Sequence, residues 1–166
     1  MDAAALAALA AATFPLACPP DAKPEAVADF IARHLTESNF DAYLAGPERE
    51  LLIAELDGAP SGYTMLVYRE PTDADVLAAI SVRPTAELSK CYLLAAAHGS
   101  GLAGQLMAAT VDAARTRGAA GLWLGVNNQN AKANRFYEKN GFAIIGTKKF
   151  LVGERWEDDF VRELVL

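Results

Sequence analysis

The residues best suited to do chemistry lie in a glycine-rich turn, HGSGLAG, at residues 98–104. The turn follows an apolar run with the composition of a strand and precedes an amphipathic run typical of a helix. Glycines at such a junction leave backbone N–H groups free at the start of a helix, where the helix dipole also favours negative charge. The sequence therefore predicts a site for a phosphate-bearing ligand. The alternative interpretation is that the glycines serve only a tight turn.

The glycine spacing matches more than one class of phosphate site. Gly99, Gly101 and Gly104 satisfy G-x-G-x-x-G, the dinucleotide-binding fingerprint. That fingerprint also needs an acidic residue after the next strand, whereas here the strand is followed by Asn127 and Asn128, and too little chain remains for a doubly wound domain. No Gly-Lys-Ser or Gly-Lys-Thr follows the turn, which excludes a nucleoside-triphosphate P-loop. An NAD-binding protein remains the less favoured alternative.

A second segment, LWLGVNNQNAKANRFYEKNGF at residues 122–142, adds polar side chains that could act beside the turn. Its pattern predicts a buried strand and then a helix over 130–140 that ends at Gly141. Asn130 and Tyr137 are about two helical turns apart, so both project from nearly the same face. They can line one groove. Helix capping by Asn130 and a core position for Tyr137 are the purely structural alternatives.

Together the two segments resemble the GNAT superfamily of acyl-CoA-dependent N-acetyltransferases, loosely the branch that includes polyamine N-acetyltransferases. The turn is similar to the family's pyrophosphate loop, whose pattern is Gln or Arg, two residues, Gly, any residue, then Gly or Ala. His98 stands where the family has Gln or Arg. The later segment is similar to the family's coenzyme-binding motif. The resemblance covers about residues 87–150, and the residues of the later motif in register are Asn130, Ala133, Phe136, Tyr137, Gly141 and Phe142.

The resemblance implies a single α/β (α+β) domain spanning residues 1–166. A central, mixed and twisted sheet of about six or seven strands is expected, flanked by helices. Two parallel strands, 87–94 and 122–126, are expected to splay apart so that the pantetheine arm of the coenzyme lies between them. The arm would add to the sheet edge as an extended amide chain, in the manner of an added β-strand.

The resemblance also implies acetyl-CoA as co-substrate, with no metal, and direct transfer of the acetyl group to a primary amine through a tetrahedral intermediate. A backbone N–H near Leu94 is expected to hold the oxyanion. His98 either donates to a phosphate or is engaged only through its backbone. The expected coenzyme-binding residues are Leu93, Leu94, His98, Gly99, Ser100, Gly101, Leu102, Ala103, Asn130, Ala133, Phe136 and Tyr137.

Two side chains are the candidates for catalysis. Tyr137 can return a proton to the departing thiolate, because a phenol has a pKa of about 10 and a thiol about 8.5. Glu87 matches the position where several family members carry a base that acts through water, and a solvated carboxylate at a strand end is the alternative. Asp158 and Asp159 form a second acidic pair that could bind or deprotonate the amine. The favoured interpretation of this pair is an exposed turn before the last strand.

The elements that position these residues can be delimited from periodicity and from Gly and Pro. The first helix is expected to stop at Phe14-Pro15, and an apolar island at 76–82 fits either a strand or a helix inside a substrate-side loop. The other expected elements are helices at 3–12, 24–35, 38–44 and 102–117, a hairpin of 51–56 with 62–68, and a closing antiparallel pair of 142–150 with 156–164.

Composition narrows the class of protein. The 166 residues are 52% hydrophobic, which is ample for one core, and the formal charge of −6 argues against a nucleic-acid surface and favours a small cationic amine. Two cysteines, Cys18 and Cys91, favour a reducing cytoplasm, and both are interpreted as core or loop thiols. The Ala-rich start carries Asp2 and no basic residue, which argues against export, and no run is long enough to span a membrane.

Three points stay open at the level of sequence. The acceptor is expected to be a small-molecule amine, such as a polyamine or another cationic amine. A coenzyme A-binding sensor or regulatory module without turnover is the alternative function. The apolar ending at residues 160–166 could pair within the chain or across a homodimer.

Overall fold

The computed structural model describes residues 2–152 and 154–166. Six helices and six strands make up this part of the chain, and a 3-10 turn, Ala95–Ala97, leads from the third strand into the glycine-rich turn. The helices are α1 Ala3–Ala17, α2 Pro24–His34, α3 Glu37–Ala45, α4 Ala74–Ala79, α5 Leu102–Thr116 and α6 Ala131–Lys139. The strands are β1 Arg49–Leu56, β2 Ala59–Val67, β3 Thr85–Leu93, β4 Gly121–Asn127, β5 Ala143–Val152 and β6 Arg155–Val165.

The strands form one mixed sheet in the order β1-β2-β3-β4-β6-β5. Neighbours run antiparallel except β3 and β4, which are parallel. These two strands pair only at Thr85–Gly121, Ala86–Leu122 and Glu87–Trp123, although β3 continues to Leu93 and β4 to Asn127. The strands therefore part beyond Glu87 and leave a cleft in the middle of the sheet. The predicted mixed α/β architecture is confirmed, with six strands.

A bulge in β3 decides which side chains face which side of the sheet. Leu66 pairs with Leu88 and Met65 with Lys90, so Ser89 is an extra residue. Because side chains alternate along a strand, the extra residue places Leu88 and Cys91 on the face covered by α5 and α6. It places Glu87, Lys90 and Tyr92 on the opposite face, which α1 to α4 cover, and we call this the acceptor face.

Apolar residues cover both faces of the sheet. The cluster under α5 and α6 consists of Leu66, Ala86, Leu88, Met107, Ala114, Leu122, Leu124, Val126 and Phe142. On the acceptor face, α1 and α3 bury Ala3, Leu6, Leu9, Ala10, Phe14, Leu35, Phe40 and Tyr63. A smaller cluster of Val76, Ile80, Trp123 and Val161 seats α4 on the same face. Trp123 is buried in this cluster.

Three expectations about elements need correction. The first helix does not stop at Phe14-Pro15 but runs to Ala17, because proline removes only its own N–H bond and Phe14 stacks on Phe30 with ring centroids 4.4 Å apart. The ambiguous segment at 76–82 supplies most of α4, whose N-cap is Asp73. Asp158 and Asp159 lie inside β6 and not in a turn before it.

Two further features concern the ends of the chain and its helices. The apolar ending pairs within the chain, because β6 lies between β4 and β5. Within residues 2–152 and 154–166, no helix has both the length and the apolar character needed to cross a membrane.

Candidate active site

The glycine-rich turn has the backbone conformation that the sequence predicts. Gly99 and Gly101 adopt φ of 81° and 83°, a region that side chains disfavour, and Gly101 is the N-cap of α5. The Ser100 hydroxyl donates to the Ala97 carbonyl at 2.6 Å and accepts from the Leu102 N–H at 3.2 Å. These bonds hold the turn against the start of the helix.

The turn presents donors suited to an anion. The N–H groups of Gly99, Gly101, Ala103 and Gly104 have no acceptor in the described part of the chain. A Cβ added at Gly99, Gly101 or Gly104 would meet nothing within 4 Å, so the space beside these glycines is open. Free N–H groups at a helix N-terminus fit the pyrophosphate of a coenzyme.

The His98 side chain is engaged rather than free. Its Nε2 donates to the Leu93 carbonyl at 3.2 Å, and its Nδ1 accepts from Lys132 Nζ at 2.7 Å. The ring therefore ties the end of β3 to the first turn of α6 and brings the Lys132 ammonium next to the turn. Lys132 is not among the residues predicted from the sequence. It could have been identified by its position two residues after Asn130, in the first turn of the same helix.

A cleft of about 270 Å³ opens where β3 and β4 part. Of the predicted residues, Glu87, Asn130, Ala133, Tyr137 and Asp159 line it. The turn itself, Leu93 and Leu94 lie outside its lining. Phe136 packs on the core under α6 and borders a separate, basic recess with Ala131, Lys132, Arg135 and Lys139.

Tyr137 lies next to Cys91 on the α6 side of β3. Its ring packs against Phe136 and Phe142, with centroids 5.6 and 5.9 Å away. Burial raises the pKa of Tyr137 well above its ordinary value, so the phenol is protonated at neutral pH, as a proton donor must be. Burial also raises the pKa of Cys91 to about 12, which leaves that thiol unreactive.

The backbone N–H groups at the end of β3 and just after it differ in direction. The Leu94 N–H donates to the Ser61 carbonyl at 2.7 Å and so points towards β2. In an antiparallel pair the bonding groups alternate, so the N–H groups of Leu93 and Cys91 point away from β2 and towards the cleft. Leu94 itself is therefore not available as the donor.

Glu87 lies on the acceptor face at the point where β3 and β4 separate. Burial raises the pKa of its carboxyl group, and Lys148, Lys90, Arg69 and Arg49 each act to lower it. A half-buried carboxylate with a raised pKa is a better proton acceptor than a solvated one.

Asp158 and Asp159 face opposite sides of β6 and differ sharply. Asp158 is exposed and pairs with Lys149, whereas Asp159 is only 6% exposed and lies in the cleft lining. Burial raises the pKa of Asp159 to about 6, which Lys148 opposes and Glu157 reinforces. The expected exposed turn is therefore wrong for Asp159.

Several cleft residues carry charge that sequence analysis did not single out. Glu157 is buried, accepts from Asn127 Nδ2 at 3.3 Å and pairs with Arg155 Nε at 2.8 Å. Arg155 also binds Asp21, which follows α1. Lys90 and Lys148 line the cleft as well. Glu157, Lys90 and Lys148 come from β6, β3 and β5 respectively, and no local sequence pattern brings these three together.

The mouth of the cleft is closed on one side by the end of α1. Asn130 caps α6 by accepting from the Ala133 N–H at 3.0 Å, and its amide donates to the Ala17 carbonyl at 3.4 Å. Phe14, Ala17 and Phe30 line the adjacent wall. The cap role expected for Asn130 is confirmed, and its place beside Tyr137 in the lining agrees with the shared helix face.

Comparisons with known proteins agree with this geometry. The model of the acetyltransferase (GNAT) family matches residues 11–142. A protein of Mycobacterium tuberculosis named as an uncharacterized N-acetyltransferase is 46% identical over 166 residues, 99% of each chain. The crystal structure of PaiA N-acetyltransferase from Thermoplasma acidophilum in complex with coenzyme A has a TM-score of 0.75 at 18% identity, covering 99% of this chain and 93% of that one.

A further solved structure, ribosomal-protein-alanine N-acetyltransferase from Brucella melitensis, has a TM-score of 0.68 at 24% identity and covers 100% of this chain and 96% of that one. These structural likenesses concern the fold. The family follows from the match of the family model and from the mycobacterial relative: this chain belongs to the GNAT family of acetyltransferases.

Proposed function

We propose that the protein transfers an acetyl group from acetyl-CoA to the primary amine of a small molecule, by direct attack of the amine on the thioester. The observation that carries this proposal is the placement of Tyr137 and Glu87 on opposite faces of β3, at the point where β3 and β4 part. A proton donor and a proton acceptor thereby face one cleft from two sides.

The coenzyme would be held at both ends of its reactive arm. The free N–H groups of the glycine-rich turn suit the pyrophosphate, and the Lys132 ammonium beside His98 adds positive charge there. The cleft-facing N–H groups of Cys91 and Leu93 suit the amides of an extended pantetheine chain. That the PaiA structure contains coenzyme A in the same fold supports this arrangement.

The reaction needs a neutral amine, whose nitrogen has a free lone pair for the attack. An amine with pKa about 10.4 is only roughly 0.04% neutral at pH 7, so a base is needed to remove the proton. Glu87 accepts the proton, directly or through water, and the amine nitrogen attacks the thioester carbonyl. The Leu93 N–H stabilises the oxyanion that forms. The carbon–sulfur bond then breaks, and Tyr137 gives its proton to the departing thiolate and recovers one from solvent.

Tyr137→Phe tests the proposal directly. Loss of a general acid is expected to lower kcat by about 10² or more, while the Kd for coenzyme A changes less than about threefold because the ring remains. The measurement is thiol release with acetyl-CoA, beside titration of coenzyme A. Tyr68→Phe is the matched control, since its hydroxyl binds Glu50 outside the cleft. Unchanged turnover in Tyr137→Phe would remove Tyr137 from the mechanism.

The same assay separates catalysis from coenzyme sensing. Polyamines are the first acceptors to test, because the formal charge of −6 favours a cation. Amino acids, aminoglycosides and short peptides complete the panel. Thiol release with an amine supports the transferase. Tight coenzyme A binding without release for any amine would favour a sensor, and binding of NAD in place of coenzyme A would contradict both.

A further inference from the structure

Lys148 lies across the floor of the cleft on the acceptor face. It stands on β5 opposite Asp159 of β6, and its stem crosses β6 to reach β4. A Cβ built on Gly125 would lie 2.7 Å from Lys148 Cε and 3.4 Å from Asp159 Oδ2. Because glycine has no side chain, Gly125 leaves the space that the aliphatic stem of Lys148 occupies.

Among the residues that the structure describes, neither lysine of the cleft has a partner of opposite charge in contact. In the described part of the chain, Lys148 and Lys90 take part in no ion pair. Lys148 Nζ lies 5.3 Å from the centroid of the Phe150 ring, and Lys90 Nζ lies 5.4 Å from that of Tyr43. Both ammonium groups are thus left to bind something else.

The acids of the cleft balance these lysines. Glu157 is already paired with Arg155, which leaves Glu87 and Asp159, neither of which takes part in an ion pair or a side-chain hydrogen bond within the described residues. Two acids and two lysines therefore face one cleft. A polyamine would bring several positive charges beside two ammonium groups, which is unfavourable. A molecule with one charge of each sign complements both sets.

We propose that the acceptor is an amino carboxylate, with its carboxylate bound by Lys148 and its amine directed to Glu87 and Asp159. This inference rests on the proposed acetyl transfer and narrows its acceptor. Lys148 acts as the residue that selects for the carboxylate, and Gly125 is the position that allows it to do so.

Acceptors that differ only in the carboxylate test this directly. Each L-amino acid is compared with its decarboxylated amine: leucine with isopentylamine, phenylalanine with phenethylamine, and lysine with cadaverine. Thiol release at saturating acetyl-CoA gives kcat/KM for each. The amino acid is expected to be preferred by about tenfold or more in at least one pair, the factor that one charge-assisted hydrogen bond is worth.

Lys148→Met keeps the length of the stem and removes the charge. It is expected to bring the ratio within that pair to about one, mainly by raising KM for the amino acid. Lys149→Met is the matched control, because Lys149 is the next residue, is exposed and pairs with Asp158 outside the cleft. It should keep the wild-type ratio. Lys148→Gln, with a shorter neutral side chain, repeats the test if the Met variant does not fold.

Titration of the same amino acid into the protein saturated with coenzyme A gives a second readout that needs no turnover. Binding that Lys148→Met abolishes, without thiol release, would support the carboxylate site and contradict acetyl transfer. A decarboxylated amine or a polyamine that is the better acceptor in every comparison would overturn the carboxylate site and leave acetyl transfer intact. An equal loss for both members of a pair in Lys148→Met would also overturn it.

Discussion

The burial of Asp159 changes the chemistry of its side chain. Its carboxyl group has a pKa of 3.8 when unperturbed and about 6 in the fold, because it is buried. Above pH 6 the folded protein must hold a charge that it disfavours. This charge lowers the free energy of unfolding by an amount on the order of 3 kcal/mol. An enzyme tolerates such a cost where the charge serves its activity.

Asp159→Asn is expected to remove this cost with a definite pH dependence. Below pH 3.8 the carboxyl group is protonated in both states, and the cost is absent. Between 3.8 and 6 the unfolded chain has lost the proton while the folded chain keeps it, so wild-type stability falls as pH rises. The free energy of unfolding is measured in urea from pH 4 to 7.5 for both proteins. The value for the variant minus that for wild type should rise over this range and level off above pH 7.

Asp158→Asn is the matched control, because Asp158 is exposed on the opposite side of the strand. Its difference from wild type should show no such rise over the same range. A flat difference for Asp159→Asn would mean that the carboxylate is solvated or fully compensated in the folded protein.

Asp158 and Asp159 show how far the role of a single residue can be predicted from sequence. Tyr137, Glu87 and Asn130 could be singled out because helix spacing and motif order point to them. Asp159 could not be separated from Asp158, since which of them is buried depends on the register of β6 against β4. Lys148 is harder still to identify from sequence, because its side chain contacts Gly125 only across an intervening strand.

Among the elements, α6 carries Ala133, Phe136 and Tyr137 of the predicted site and was delimited closely from sequence. The limits of α6 could be predicted from its amphipathic pattern, from Asn130 at its start and from Gly141 after its end. Gly141 adopts the expected positive φ, at 88°. The strands β3 and β4 were found within two residues at each end. The first helix was not, because the burial of Phe14 is a tertiary effect that outweighs the local signal of Pro15.

Asn130→Ala is expected to destabilise the protein through α6. The change removes the bond to the Ala133 N–H and the link to Ala17. Loss of an N-cap costs about 1 kcal/mol, which corresponds to a fall in Tm of about 2–4 °C for a chain of this size. Thermal unfolding with and without coenzyme A measures it. Asn128→Ala, at an exposed position just before, should leave Tm unchanged, and an equal fall there would refute a specific cap effect.

For the whole molecule, net charge does not describe how charge is arranged at the site. The formal charge of −6 is an average over the chain and says nothing about where the charges lie. The cleft itself brings together three acids, one of them already paired with an arginine, and two lysines, from β3, β5 and β6. The mixed sheet and its parallel pair could be expected from the resemblance to the GNAT family, which rests on two motifs and their order along the chain. The charge balance of the cleft could not, because it depends on which strands become neighbours.

The parting of β3 and β4 has a consequence for the exchange of amide hydrogens with solvent. Amides in the middle of a six-strand sheet are ordinarily among the slowest to exchange. Along β3, however, only alternate amides are bonded to β2, so Tyr92 and Leu94 should exchange slowly while Cys91 and Leu93 exchange like a surface loop. In deuterium, added coenzyme A should slow Cys91 and Leu93 while Tyr92 and Leu94 keep their rates, so that these two amides of β3 record directly whether the cleft is filled.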